Sequence, residues 1–298
     1  MKAPHIRFAL PSLLVFAACA SNPPPPAAAP TPVPEATPAT PPTPPPPPPL
    51  APLAQRSADD ILADNVKAIG PVEAWNAHKT LRLDMTMSFQ GVGITGKAQR
   101  LATATDKTLV ITEIPGVGTI REGSNGKVFW SQDPINGLRM LDGAEADQAR
   151  LESVWNPELR SKELYAKIEA KNEPGPDGKP LECVTLTPKV APPTTRCFDP
   201  SSHLQVLEKG VRPTPQGDTP FSSTVSDWRR IGGLLLPFAL ETQAGPITFA
   251  AKVQSIVFDE AMDDKQFEPP KPPAPPVEPG KSTGKTKSKA KAKAKPEP

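Results

Sequence analysis

Apolar and polar residues alternate one for one between positions 81 and 89. Leu81, Leu83, Met85, Met87 and Phe89 are separated by Arg82, Asp84, Thr86 and Ser88. Successive side chains of a strand point to opposite faces, so this run predicts a strand with one apolar and one wet face. Just upstream the period is helical. Ile61, Leu62, Val66 and Ile69 share one face, Ser57-Ala58-Asp59-Asp60 supplies a cap, and Gly70-Pro71 ends this helix and begins a short second one through about His78. Further strands read at about 96–104, 108–114, 118–122 and 127–131, the last two joined by the hairpin signal Asn125-Gly126. Residues 144–154 and about 156–165 read as helices, with Leu151 and Val154 as apolar contacts. Strands resume at 166–171, 181–187, 194–199, 203–211, 221–230, 234–242 and 247–258. Turn signals roughly every ten residues, without intervening helices, indicate an antiparallel meander. A sheet of about eleven strands must curl or close, because twist accumulates. The expected fold is therefore mainly β: a strongly curved antiparallel sheet with helices covering its concave face.

The two ends of the chain read differently. Of 298 residues 44 are proline, concentrated at the ends. Residues 22–52 hold 17 prolines among alanine and threonine, which favours a polyproline II spacer with an upper reach on the order of 100 Å. Upstream, Lys2 and Arg7 form a short positive region before an apolar stretch from Phe8 to Ala18, too short to span a bilayer permanently, and small residues precede Cys19. This predicts a signal peptide over 1–18 and lipidation of Cys19; Ala20 in place of aspartate fits outer-membrane sorting. Residues 271–298 carry eight lysines and two glutamates in a Pro/Ala/Ser background, a disordered basic tail by composition. The expected organisation is 1–18 signal, 19–56 lipidated cysteine and spacer, 57–270 one folded domain, and 271–298 tail.

Charge and cysteines narrow the chemistry. The whole chain is +2, but with leader, spacer and tail set aside the domain is about −5. A mildly acidic domain argues against nucleic acid as a partner. In an exported chain Cys183 and Cys197, placed nearly symmetrically about the turn at 188–193, are expected to form a disulfide. Only His5, His78 and His203 exist, and none has metal-ligand spacing to the cysteines, so no metal is expected. No nucleophile elbow, zinc-protease helix or P-loop is present. Gly91-Val92-Gly93-Ile94-Thr95-Gly96 joins two strands and so reads as a turn, not a phosphate cradle. Asp227 and Glu241 form only the kind of carboxylate pair that any acid-rich chain offers. No catalytic residue and no cofactor is expected. Trp75, Trp130, Trp155 and Trp228 suit either a core or the lining of an apolar cavity, and Leu234-Leu235-Leu236-Pro237-Phe238 is apolar on both faces.

A resemblance can now be stated. Gly70-Pro71-Val72-Glu73-Ala74, the alternating strand, the stretch from Ile120 to Trp130, Asp227-Trp228-Arg229-Arg230-Ile231-Gly232-Gly233-Leu234-Leu235-Leu236-Pro237-Phe238 and the closing Asp264-Lys265-Gln266-Phe267-Glu268-Pro269-Pro270 resemble the outer-membrane lipoprotein-sorting, LolA/LolB-like group. The resemblance implies an unclosed half-barrel with a helical lid and an apolar cavity for lipid or lipoprotein acyl chains. Taken together, these readings predict an outer-membrane-anchored, periplasm-facing, non-enzymatic lipoprotein. Its membrane contact would be the lipid anchor, and anionic envelope polymers would be partners of the Lys-rich tail. By alternation, Leu83, Met85, Met87, Val110, Trp130, Leu236, Phe238 and Phe249 are the candidate ligand-binding residues. Two rival readings are an envelope scaffold or stress sensor that binds a protein, and a tether in which spacer and tail carry the function. A third, a histidine-dependent enzyme, would rely on His203.

Overall fold

The computed structural model describes residues 53–271. The expected signal peptide, Cys19, the spacer to 52 and the Lys-rich tail lie outside the described residues. The N-terminal helix α1 (Ala58–Ile69) is capped as its sequence predicts, with the Ser57 hydroxyl accepting from the Asp60 amide at 3.1 Å. A short α2 (Val72–Ala77) follows. Six strands come next: β1 (Thr80–Phe89), β2 (Ile94–Thr103), β3 (Thr108–Ile114), β4 (Gly118–Ser124), β5 (Phe129–Asp133) and β6 (Gly137–Met140). Helix α3 (Gly143–Ser153), a 3₁₀ turn at Pro157–Arg160 and one turn of helix, α4 (Ser161–Leu164), lead to seven more. These are β7 (Tyr165–Pro174), β8 (Pro180–Pro188), β9 (Thr194–Phe198), β10 (Gln205–Thr214), β11 (Gly217–Ile231), β12 (Leu234–Ala244) and β13 (Ile247–Phe258).

All thirteen strands form one antiparallel sheet in the order β6-β5-β4-β3-β2-β1-β13-β12-β11-β10-β9-β8-β7. The sheet is open, with β6 and β7 at its edges, so the expected mainly β, unclosed half-barrel is the observed architecture. The expected count of about eleven becomes thirteen, twelve of which answer to the ranges read from the sequence. The strand that alternation did not reveal is β6, whose four residues are too few to show a period. The hairpin at Asn125-Gly126 also differs in detail. Only Gly126 has positive φ, at 87°. The Asn125 side chain instead accepts from the amides of Lys127 and Val128 at 3.0 and 3.1 Å, and β5 starts two residues later than expected.

Curvature follows from what α3 touches. Its Glu145 pairs with Arg139 of β6 at 3.1 Å, and its Glu152 pairs with Arg212 of β10 at 2.6 Å. Those strands are nine places apart in the sheet, which on a flat sheet would be about 43 Å at the usual interstrand spacing. The two glutamates are seven residues apart, about 10 Å along a helix. The sheet must therefore wrap around the helix, and the face toward α3 is the concave one.

Register assigns residues to faces. Leu83, Met85, Met87, Phe238, Leu240, Phe249, Ala251 and Val253 pack as one concave cluster. Helix α2 places Trp75 against Leu81, Trp155, Leu234 and Leu236, while α1 places Ile61 against Tyr165, Val184, Leu186 and Phe198. The convex side has its own small core. There Leu101, Leu109 and Trp130 are covered by Phe267 of a C-terminal 3₁₀ turn (Asp264–Phe267), whose carbonyl accepts from the Trp130 indole N–H at 3.1 Å. Gly123, opposite Trp130 in β4, makes room for the indole: a Cβ there would lie 2.3 Å from the ring. Cys183 of β8 stands opposite Cys197 of β9 and is bonded to it, with Cα atoms 3.9 Å apart. We expect Gly123→Ala to cost about 1–3 kcal/mol through overpacking against a buried ring. Urea unfolding followed by tryptophan fluorescence checks this, and an unchanged midpoint would contradict the packing described.

Candidate functional site

The concave face is not filled uniformly. A cavity of about 90 Å³ lies between the helices and strands β9–β12. Its walls are apolar: Ile69 of α1, Trp75 of α2, Leu151 of α3, Val225 and Trp228 of β11, and Leu235, Leu236 and Leu240 of β12. One wall strand is locally irregular. Asp227 has φ of 55°, and the β11–β12 pairing passes from Ser226 opposite Ala239 to Trp228 opposite Pro237 with its register unchanged. Trp228 borders the cavity, and Arg229 lies over the Phe238 ring, 4.6 Å from its centre.

The floor of this cavity is charged. Arg196 of β9 is 4% exposed. It pairs with Glu158 of the 3₁₀ turn at 2.6 Å and with Glu208 of β10 at 3.5 Å. Burial opposes the guanidinium charge, but attraction to Glu208 and Glu158 outweighs it and holds the Arg196 pKa above the ordinary arginine value. Arg212 is raised in the same way, burial being offset by Glu152. The Asn65 side chain of α1, which also borders the cavity, donates to the His203 carbonyl at 2.8 Å.

A second cavity of about 80 Å³ lies under the other side of α3, against β2–β5 and the end of β10. Arg100, Thr108, Val110, Glu122, Ser131, Arg139 and Glu145 border it, and Gln148, Glu152 and Arg212 border both cavities. The last turns of α3 thus divide the concave space into an apolar and a polar compartment. The Arg100 guanidinium donates to the Glu152 carbonyl at 3.2 Å, which ties the dividing helix to β2 as well.

The eight candidate ligand-binding residues fall into four groups. Leu83, Met85, Met87, Phe238 and Phe249 pack against one another in the concave core, and the lining of the apolar cavity does not include them. Leu236 borders the apolar cavity and Val110 the polar one. Trp130 lies along the polar cavity's edge, but its indole is packed on the convex side with Phe267. The sequence weighed Trp75 and Trp228 as lining, and both border the apolar cavity. Arg196, Glu208 and Arg212 went unread because β10 carries charges on both faces and β9 is too short to show a period. The only available signal was the isolated arginine within the otherwise uncharged Thr194-Thr195-Arg196-Cys197-Phe198.

Of the two domain histidines, His78 is held by its neighbours. Both ring nitrogens of His78 meet acceptors, Asp259 at 2.7 Å and the Gly232 carbonyl at 2.9 Å, and its ring stacks on Phe258 at 3.9 Å. This cluster pins α2 to the ends of β11 and β13. The main chain of His203 is in a left-handed turn. No group of three or more His, Cys, Asp or Glu side chains among the described residues could hold a metal ion.

No protein-family model matches the chain. No curated protein matches it. Among solved structures, the chain is similar to a LolA superfamily protein from Nitrosomonas europaea, with 13% identity and a TM-score of 0.49 over 72% of this chain and 98% of that one. A DUF1329 family protein from Desulfovibrio piger shows 11% identity and a TM-score of 0.47, over 71% and 97%. A domain from Vibrio parahaemolyticus described as an outer membrane lipoprotein-sorting protein shows 10% and 0.46, over 71% and 95%. The similarity concerns the course of the chain and not its side chains, so what the groove can hold rests on its own residues.

Arg196 neutralises two carboxylates in a site removed from water. We expect Arg196→Met to lower the unfolding free energy by about 3–5 kcal/mol, because it strands Glu158 and Glu208. Adding Glu158→Gln and Glu208→Gln should recover much of that loss in a chemical-denaturation series. If the triple variant is no more stable than the single one, packing and not charge is what Arg196 contributes.

Proposed function

We propose that this chain is a non-enzymatic, membrane-anchored lipoprotein of the cell envelope whose half-barrel holds the acyl chain of a lipid or lipoprotein. One observation carries the reading: the concave face keeps an apolar-walled cavity between three helices and strands β9–β12, beside the packed cluster of β1, β12 and β13. A site of this kind, concave and mostly apolar with a few polar groups, suits a hydrocarbon ligand. Each methylene taken from water into it would contribute about 0.8 kcal/mol. Among the described residues no helix is long and apolar enough to cross a membrane. Attachment in this reading comes from Cys19 at the outer membrane, with the proline-rich spacer carrying the domain into the periplasm and the Lys-rich tail drawn to anionic envelope polymers.

A full chain carrying Cys19→Ala, purified under oxidising conditions, should bind a fluorescent acyl-chain probe saturably at one site. Val225→Trp fills the cavity from a half-buried position and should weaken the probe by about tenfold or more while leaving the far-UV circular dichroism unchanged. If the parent shows no saturable binding, the scaffold reading replaces this one. Deleting residues 281–295 removes seven lysines. The deletion should reduce sedimentation with anionic vesicles at low salt but not at high salt, since the attraction is screened. It should leave probe binding alone.

A further inference from the structure

The two ends of the sheet differ in chemistry. Neighbouring strands run in opposite directions, so the hairpin loops fall alternately at one end and the other. Residues 90–93, 115–117, 134–136, 189–193, 215–216 and 245–246 connect strands at one end. These six loops contain one charged residue, Lys189. Residues 104–107, 125–128, 175–179, 199–204 and 232–233 connect strands at the other end, and they carry Asp106, Lys107, Lys127, Asp177, Lys179 and Asp199. Five of the six uncharged-end loops contain proline, which has no N–H to strip of water. Among the described residues five large apolar side chains are exposed, and three of them stand in these loops: Val92 at 64%, Ile135 at 67% and Val190 at 55%. The concave space reaches this rim, since Pro213, Thr214 and Pro215 beside the β10–β11 loop border the polar cavity. Helices α1 and α2 cover the opposite end. There Trp75 packs on Leu81 and Leu234, and a Cβ on Gly70 would lie 2.9 Å from the Gly233 carbonyl oxygen.

We propose that this uncharged rim is a membrane-contact surface, with Val92, Ile135 and Val190 seated at the boundary between the headgroups and acyl chains of a lipid bilayer. The spacing of the tips favours a bilayer over a protein. Counted along the sheet, the β1–β2 loop is four strands from the β5–β6 loop and six from the β8–β9 loop, about 19 Å and about 28 Å at the usual spacing. Single apolar side chains that far apart make no patch for one protein pocket, whereas a continuous lipid surface accepts all of them. Lys189 can lay its stem against hydrocarbon and keep its ammonium in the headgroup layer. The described chain enters and leaves at the opposite end. Asn172 near the end of β7 donates to the Leu53 carbonyl at 2.9 Å, and Asn125 of the β4–β5 loop donates to Glu268 at 2.8 Å. With Cys19 as the anchor, residues 20–52 form the tether. Its reach, on the order of 100 Å as a polyproline II chain, exceeds the roughly 33 Å length of a ten-residue strand. The domain can therefore turn its rim to the membrane that holds it. Contact through the rim stands on the loops and does not require an acyl ligand.

The test uses the full chain with Cys19→Ala and vesicles of phosphatidylcholine, whose lack of net charge leaves the Lys-rich tail unattracted. Val92→Cys, Ile135→Cys and Val190→Cys each take an environment-sensitive thiol dye, because Cys183 and Cys197 are bonded to each other and buried. Lys179→Cys, exposed at the charged end, is the control. Vesicles should shift the dye emission to the blue at all three tips and not at the control, at low and high salt alike. Combining Val92→Asp, Ile135→Asp and Val190→Asp should lower sedimentation with these vesicles by about tenfold or more. The exposure of all three positions lets the triple variant keep the far-UV circular dichroism of the parent, and it should bind the acyl probe in the absence of vesicles as the parent does. No shift at any tip, an equal shift at Lys179→Cys, or parental sedimentation of the triple variant would each overturn the rim as a membrane contact. A parent that responds to vesicles but binds no acyl probe would overturn the acyl-chain reading and support the rim.

Discussion

Glu145 and Glu152 sit two turns apart on α3 and pair with arginines from strands nine places apart in the sheet. An antiparallel meander of this length twists by itself, but twist alone does not fix how tightly it curls. The two pairs do, because they set the distance that the concave face must span. Buried ion pairs are poor sources of net stability, since desolvation consumes much of the attraction. Their effect here is better understood as specification. Any flatter sheet would separate Arg139 or Arg212 from its carboxylate and leave a charge without its partner. Helix α3 has little apolar character of its own; Ala146 and Leu151 are its buried apolar residues. It is therefore held by charge where α1 and α2 are held by hydrocarbon.

That difference explains why the concave space is divided. Where α1 and α2 bring Ile61 and Trp75 down onto the sheet, apolar side chains meet apolar strands and the space is nearly filled. Where α3 crosses, arginine and glutamate side chains hold it at arm's length, and cavities remain on both sides. The cavity toward β12 inherits that strand's leucines, and the cavity toward β4 inherits Glu122 and the arginines of β2 and β6. An amphiphilic space is the physical result of laying a charged helix over a sheet whose two halves differ in polarity.

Much of the fold was legible because a period of two shows through directly in sequence. The run from Leu81 to Phe89 was enough to orient β1, and register carried that orientation to Phe249, Ala251 and Phe238. The same reasoning selected a packed core in place of a cavity wall, since alternation tells which face a residue is on but not whether another side chain covers it. Trp130 shows a second limit. Its neighbours Phe129 and Ser131 face inward, and its indole faces Phe267, which lies more than a hundred residues away. Asp227 shows a third. It takes a left-handed conformation inside a fifteen-residue strand, and nothing local distinguishes that aspartate from any other. The charged floor was hidden because a buried arginine looks like a surface arginine until its glutamates, on β10 and the 3₁₀ turn, are brought to it.

The open form of the sheet has a cause in the chain's path. Residues 141–164 leave β6 at one edge, cross the concave side and enter β7 at the other. Closing the barrel would pair β6 with β7 and remove two exposed edges, which antiparallel sheets otherwise have to protect. The segment that would have to be expelled is the one that carries both curvature-setting glutamates and Glu158. The edges are managed locally instead: β6 is only four residues long, and β7 bears Lys167, Glu169, Lys171 and Glu173 as paired charges along its length. An unclosed sheet is thus what the interior helix requires, and a mouth on the concave side is its consequence.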